Sequence, residues 1–364
     1  MRITLLGAGH IGQTITRLLL ASGQYDVTVV DKSAAALAKL PTQGVRTRQA
    51  ETADPTVLLE VLQGQQAVIN ALPYHLAIPA AAAALQAGCN YFDLTEDVAA
   101  TRAIKAMAEG AATAFMPQCG LAPGFIGIVA HHLCKGFDTL VDVKMRVGAL
   151  PAFPTNALKY NLTWSVDGLI NEYCQPCEAI RDGRNIEVLA LEGLEHFSLD
   201  GTVYEAFNTS GGLGTLCETL AGRVRTLDYK SVRYPGHRDL MKMLLEDLQL
   251  KQDTGTLKEI MRKSIPSTMQ DVVLVFVTVS GIRDGDLVQE VFARKIFADR
   301  SPAAPLSAIQ ITTAAGICAA VDLFREGHLP QRGFIRQEQV ELPAFLANRF
   351  GKAYEQNRQV QSIG

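Results

Sequence analysis

The sequence predicts an α/β fold, a Rossmann-type doubly wound parallel sheet followed by a second α+β domain with a mixed, mostly antiparallel sheet. Three observations carry that expectation. The chain opens on a strand, a glycine turn and a helix. Short strands and helices then alternate through its first third. After Gly124 the pattern changes to long strands of period two.

The opening unit is the most specific. Residues 3–6 form a short apolar run that leads into Gly7-Ala8-Gly9-His10-Ile11-Gly12. Ile11, Ile15, Leu18 and Leu19 then recur at helical spacing until Gly23. Gly7 permits a tight turn, Gly9 lets a pyrophosphate approach the backbone, and Gly12 lets helix and strand pack closely. The free N–H groups of the first helical turn, at His10 and Ile11, and the helix dipole favour phosphate charge. A second apolar strand at 27–30 ends in Asp31, 19 residues after Gly12. That offset suits a carboxylate on the adenosine ribose, which favours NAD and repels the 2′-phosphate of NADP. Lys32 either softens that repulsion or is a solvated loop charge.

The remaining elements follow by the same reading. Helices are expected near 33–40, 55–63, 77–87 and 98–110, with strands near 45–49, 67–72, 90–94 and 114–116. Beyond 124, Val141, Val143, Met145 and Val147 share one strand face, and 272–279 and 287–297 are long strands of the same kind. From 305 to 325 the pattern is helical again. The expected domains are 1–124 for the dinucleotide, 125–304 as an α+β substrate and dimerisation domain, and 305–364 as helices returning to the first domain.

Bulk properties exclude several functions. The chain has 364 residues, 48% hydrophobic and 20% charged, with net charge −3. No basic stripe points to nucleic acid. No apolar run is expected to reach the ~18 residues of a membrane span, and the first strand begins too early for a signal peptide. Seven scattered cysteines suit a reducing cytoplasm. Exposed strands in the second domain point to a homodimer or higher homo-oligomer. The single Cys174-x-x-Cys177 has no second pair, so no metal is expected. No GxSxG elbow marks a hydrolase.

Ligands of open parallel sheets lie at the carboxyl ends of the strands. That rule places Leu72, Pro73, Tyr74 and His75 after the fourth strand. Asp93, Thr95 and Glu96 follow the fifth, and Gln118, Cys119 and Gly120 follow the sixth. Leu72 and Pro73 join the glycine turn as cofactor-lining residues. Each chemical candidate has a plainer alternative. Asp93 and Glu96 suit a helix start, His75 a cap, and Cys119 a buried filler. The second domain contributes two dense segments. Residues 159–173 include Tyr160 and the sole tryptophan, Trp164. Residues 233–238 place Arg233 and His237 around a Pro-Gly bend, where Arg233 suits a carboxylate or an ordinary ion pair.

These segments together resemble the saccharopine dehydrogenase superfamily, most closely its L-lysine 6-dehydrogenase branch. The resemblance rests on GAGHIGQTI with VVDKS, on ALPYHLAIPAAAAALQAGCNYFDLTED, on PQCGLAPGF, on YNLTWSVDGLINEYCQP with IRDG, and on KSVRYPGH. It spans about residues 1–330. It implies NAD-linked oxidation of an amino acid, with L-lysine losing hydride from its ε-carbon to give a semialdehyde that cyclises. Relatives make or cleave saccharopine or reduce polyamine imines. Saccharopine enzymes often carry a larger substrate domain, and this chain is short for that.

An ammonium group has no lone pair to form an imine, so the amine, with a free pKa of about 10.4, must first lose a proton. The resemblance leaves the base open. Glu96 and Asp93 are the first candidates and His75 the next, with Cys119 lining the nicotinamide pocket. Arg233 and His237 are expected to hold the α-carboxylate, with Tyr74, Tyr160 and Trp164 along the aliphatic chain. The competing expectations are a saccharopine or polyamine-imine enzyme and a non-catalytic NAD-binding sensor.

Overall fold

The computed structural model describes residues 1–301 and 305–355. The chain divides into two units, Met1–Ile128 with Thr312–Ala353, and Val129–Ile311, to which Tyr354 also belongs. The expected boundary at 304/305 abuts 302–304, which, with 356–364, lies outside the described residues.

Strand–helix alternation fills the first unit. It contains β1 (Arg2–Leu6), α1 (His10–Ser22), β2 (Asp26–Asp31), α2 (Ala34–Leu37), β3 (Val45–Gln49), α3 (Pro55–Leu62), β4 (Ala67–Asn70), α4 (Ala77–Ala87), β5 (Asn90–Asp93), α5 (Val98–Met107) and β6 (Ala114–Met116). The central strands are buried on both faces, which is why they read as continuous apolar runs rather than alternating ones. Gly23 and Gly88 end α1 and α4 in left-handed geometry that a side chain would strain. The alanines of α4 bring its backbone close to Leu58, Leu62 and Ile104 in one apolar cluster. α2 is shorter than the expected 33–40. Ser33 caps its start, and Pro41 disfavours helical geometry at the residue before it.

The second unit begins within α6 (Phe125–Cys134). It continues through β7 (Thr139–Pro151), α7 (Val166–Cys174), β8 (Cys177–Arg181), β9 (Arg184–Val188), β10 (Glu195–Leu199), β11 (Thr202–Asn208), α8 (Leu216–Leu220), β12 (Val224–Arg233), α9 (His237–Lys242), α10 (Thr254–Ser264), β13 (Asp271–Arg283) and β14 (Asp286–Phe297). Its mixed sheet has the order β10-β11-β12-β7-β13-β14, with β8 beside β12 and β9 beside β8. β12 pairs β7 in parallel, and the other pairs are antiparallel. Met145 lies opposite Tyr229 and Val147 opposite Ser231, so one face carries the expected apolar row. The alternate residues of β7 and β12 hold a buried ion cluster, Arg146 with Glu195 and Asp228, and Lys230 with Glu195.

The chain then runs through α11 (Ala308–Arg325), β15 (Gly333–Phe334) and α12 (Leu342–Ala347). α11 corrects one expectation, because its 18 residues have the length and mean hydropathy of a membrane span. It is a core helix, 78% buried within the structure. β15 adds a seventh strand, parallel to β6, giving the order β15-β6-β5-β4-β1-β2-β3 with every pair parallel. Two residues are too few to show a strand period, so the sequence did not reveal it.

Candidate active site

The glycine turn has the shape a dinucleotide needs. Gly7 takes φ +101°, and a Cβ there would stand 2.9 Å from the Ala71 carbonyl oxygen. A Cβ on Gly12 would strike the Gly7 carbonyl oxygen at 2.0 Å, so only glycine lets α1 sit this close. Gly9 is different, since a Cβ there would meet nothing within 4 Å. No side chain caps α1, and its first internal bond runs from the Gln13 N–H to the Gly9 carbonyl at 2.9 Å. The N–H groups ahead of that bond therefore face an open cradle that fits a pyrophosphate. His10 is exposed, Ile11 half-buried, and Leu72 packs within reach of Gly7. Pro73 is exposed ahead of the single turn Tyr74–Leu76.

Asp31 ends β2 and ties the turn in place. One carboxylate oxygen accepts the Ala8 N–H and the other the Ser33 N–H, each at 2.7 Å. Each oxygen retains a lone pair for a ribose hydroxyl. Lys32 is exposed, and its carbonyl accepts from Gln49. NAD should therefore support turnover at least tenfold better than NADP, since an unpaired phosphate beside Asp31 costs about 1–3 kcal/mol. Asp31→Ala should narrow that gap while weakening both cofactors, because the turn also loses its tie. Steady-state kinetics with the two cofactors measure it, and an NADP preference in the native protein refutes the expectation.

At the carboxyl ends of β5 and β6 the candidate acids separate into two roles. Asp93 is 1% exposed and fully engaged. It accepts N–H bonds from Thr95 at 3.0 Å and Gln118 at 2.9 Å, and the Tyr91 hydroxyl at 2.8 Å. Burial pushes its carboxyl up to about 6 despite those donors. Asp93 is thus the knot of the β5 and β6 loops. Glu96 is half-buried, and its carboxylate bonds to no other residue among the described residues. Burial pushes it up to about 7, with Asp97 and Asp93 adding to the shift. A free carboxylate poised near neutrality is what a general base requires.

His75 is exposed beside the Tyr74 ring, and no bond fixes its imidazole among the described residues. Cys119 is corrected to the plainer alternative. Its thiol donates to the Met116 carbonyl at 3.1 Å and receives the Gln337 amide at 3.3 Å, and burial raises it far above the ordinary thiol range. It fills the loop and keeps its proton.

The second unit holds a buried polar chain with a definite direction. Arg233, at the end of β12, donates from Nε to the Tyr173 hydroxyl at 2.9 Å and from Nη1 to the Val232 carbonyl at 2.8 Å. Its guanidinium lies over the Tyr160 ring at 5.4 Å and the Tyr173 ring at 5.8 Å. His237 Nδ1 lies 2.9 Å from the Leu158 carbonyl, and that acceptor assigns the proton to Nδ1. His237 Nε2 then accepts from the Tyr173 hydroxyl at 3.1 Å. Burial, with the Arg233 charge behind it, pushes His237 down to about 3, so the ring is neutral. This corrects the expectation that Arg233 and His237 converge on one anion. Both imidazole nitrogens are committed, and His237 instead orients Tyr173, which orients Arg233. Trp164 is half-buried against the apolar cluster around Tyr160, Leu169 and Met241.

Arg146, Lys230 and Arg233 are the buried cations among the described residues. The first two form ion pairs with hydrogen-bonded carboxylates, whereas Arg233 donates to Tyr173 and Val232 and is attracted by the buried Glu172 carboxylate. No group of three or more His, Cys, Asp and Glu among the described residues is arranged to hold a metal.

Known families match both halves of the chain. Residues 3–115 match the saccharopine dehydrogenase NADP binding domain, and residues 120–350 the saccharopine dehydrogenase C-terminal domain. The chain belongs to the saccharopine dehydrogenase family. It has that family's NAD(P)-dependent oxidoreductase fold. A saccharopine dehydrogenase (L-Glu forming) from Saccharomyces cerevisiae shares the fold at 17% identity and a TM-score of 0.76, covering 94% of this chain and 96% of that one. A myo-inositol dehydrogenase from Corynebacterium glutamicum is looser, with 13% identity and a TM-score of 0.43 over 98% of this chain and 96% of that one. The coverage of the yeast protein corrects a further expectation: this chain is not short for a saccharopine dehydrogenase.

Proposed function

We propose that this member of the family oxidises L-lysine at its ε-carbon with NAD, releasing ammonia and a semialdehyde that cyclises. The observation that supports the substrate is Arg233. No carboxylate is hydrogen-bonded to this buried guanidinium among the described residues, although the buried Glu172 favours its charge, and a bound carboxylate can take the donors that Tyr173 and Val232 leave over. Lysine offers one carboxylate, matching one such cation, whereas saccharopine carries several.

The glycine turn and Asp31 would hold the dinucleotide, which when bound would supply the acceptor for the hydride that leaves the ε-carbon. Glu96 takes the proton from the ε-ammonium beforehand, which gives nitrogen the lone pair needed for the imine. Once Glu96 has passed that proton to solvent, water adds to the iminium carbon and gives its proton to Glu96; Glu96 returns a proton to the nitrogen and takes the hydroxyl proton as the carbon–nitrogen bond breaks, releasing ammonia and the aldehyde. Asp93 serves by holding the loops that carry Glu96 and Gln118.

Lysine should generate NADH, with a product that reacts with o-aminobenzaldehyde. Its kcat/KM should exceed that for saccharopine by about tenfold or more, or ~1.4 kcal/mol. NADH from saccharopine but not lysine would move the assignment to the saccharopine reaction. NAD binding without turnover of any amino acid or polyamine would leave a sensor.

A further inference from the structure

The structure assigns Gln118 as the residue that receives the nicotinamide carboxamide, a role carried by the loop after β6. Gln118 has φ +66°, a left-handed geometry that a residue with a Cβ resists. The surroundings hold it there from two sides. Asp93 accepts the Gln118 N–H on its side chain at 2.9 Å and the Cys119 N–H on its backbone carbonyl at 2.8 Å. Gln337, just past β15, donates to the Pro117 carbonyl at 2.7 Å and to the Cys119 sulfur at 3.3 Å. Behind the loop, a Cβ on Gly316 of α11 would stand 2.8 Å from the Cys119 carbonyl oxygen and 2.9 Å from that of Gly120. The backbone on either side of Gln118 is therefore fixed, and the strain is retained rather than relaxed.

What this geometry presents is an unused amide. Gln118 is only 3% exposed, yet its side chain makes no hydrogen bond among the described residues. Its polar atoms are not among those sealed from solvent without a partner, so the amide reaches an opening. An amide placed this way is bonded by water until a ligand with matching donor and acceptor replaces it. The ligand chemistry follows from the sheet. In the order β3-β2-β1-β4-β5-β6, Asp31 marks the adenosine half, so the carboxyl ends of β4, β5 and β6 serve the nicotinamide half. A carboxamide offers both a donor and an acceptor, and the glutamine amide answers with both. Glycine would suit the φ of this position better, so the amide, not the backbone, explains why glutamine stands there.

The proposal rests on dinucleotide binding and not on lysine as substrate. It is tested by comparing NADH with ADP-ribose, which lacks the nicotinamide, in calorimetric titrations of the native protein, Gln118→Gly and Gln118→Ala. Both variants should bind NADH about tenfold or more weakly and ADP-ribose within about twofold of native. Gln118→Gly should also raise the melting temperature of the cofactor-free protein, because glycine accepts the left-handed geometry. Equal weakening of both ligands, or unchanged NADH affinity in Gln118→Gly, overturns the assignment. A native protein that binds neither ligand would instead refute dinucleotide binding itself, and the proposal with it.

Discussion

Glu96→Gln is expected to lower kcat by ~10²-fold or more while leaving NAD affinity within about twofold, the scale of losing a positioned base. The pH profile carries the sharper signature. Because burial pushes the Glu96 carboxyl up to about 7, the basic form appears only as pH rises through that value. The native kcat should therefore climb near pH 7, and that limb should vanish in the variant. A second rise toward the amine pKa of about 10.4 should persist, since it belongs to the substrate. Stability supplies the control. A carboxyl raised above its ordinary value stabilises the fold most below about 4.5 and loses that contribution as pH climbs to about 7. Glutamine carries no such penalty, so the variant should be at least as stable as the native protein at pH 8. Native turnover in Glu96→Gln would return Glu96 to a helix-start acid and leave His75 as the exposed alternative.

The legible parts of this chain are those whose chemistry is local. Gly7 and Gly12 announce a turn because the first needs a positive φ and the second meets the Gly7 carbonyl five residues earlier, while Gly9 leaves the turn open. Asp31 is readable from its offset, and the alanines of α4 from their run up to Gly88. What escaped is long-range. Gln337 meets the β6 loop from 218 residues beyond Cys119, and no motif links the two. Tyr173 lies 60 residues from Arg233, so the relay that commits His237 was invisible, although all three residues stood in the dense segments. Asp93 and Glu96 look equivalent in sequence. Their difference lies in partners, since the Asp93 carboxylate collects donors from Tyr91, Thr95 and Gln118. Burial raises both carboxyls, and the three donors leave Asp93 as a scaffold while Glu96 keeps the free oxygens that the proposed base requires.

Arg233→Ala is expected to raise KM for lysine strongly, with a loss in kcat/KM of ~2–4 kcal/mol. The guanidinium is aimed by Tyr173, whose hydroxyl is in turn aimed by His237, so the relay predicts graded effects. Tyr173→Phe keeps the Arg233 charge but removes the acceptor of its Nε–H, and should cost about 1 kcal/mol in kcat/KM for lysine. Cadaverine separates anchoring from architecture, because it keeps the amine and lacks the carboxylate. It should be a poor substrate for the native protein and nearly indifferent to both substitutions. Thermal stability is the control. The buried Glu172 carboxylate favours the Arg233 charge, so removing Arg233 costs some stability, and the Tyr173 hydroxyl also loses a donor. The melting temperature of Arg233→Ala should fall only modestly, with cadaverine turnover retained. A marked fall in melting temperature, with equal damage to lysine and cadaverine turnover, would show that Arg233 braces the β12 end and that the carboxylate is held elsewhere.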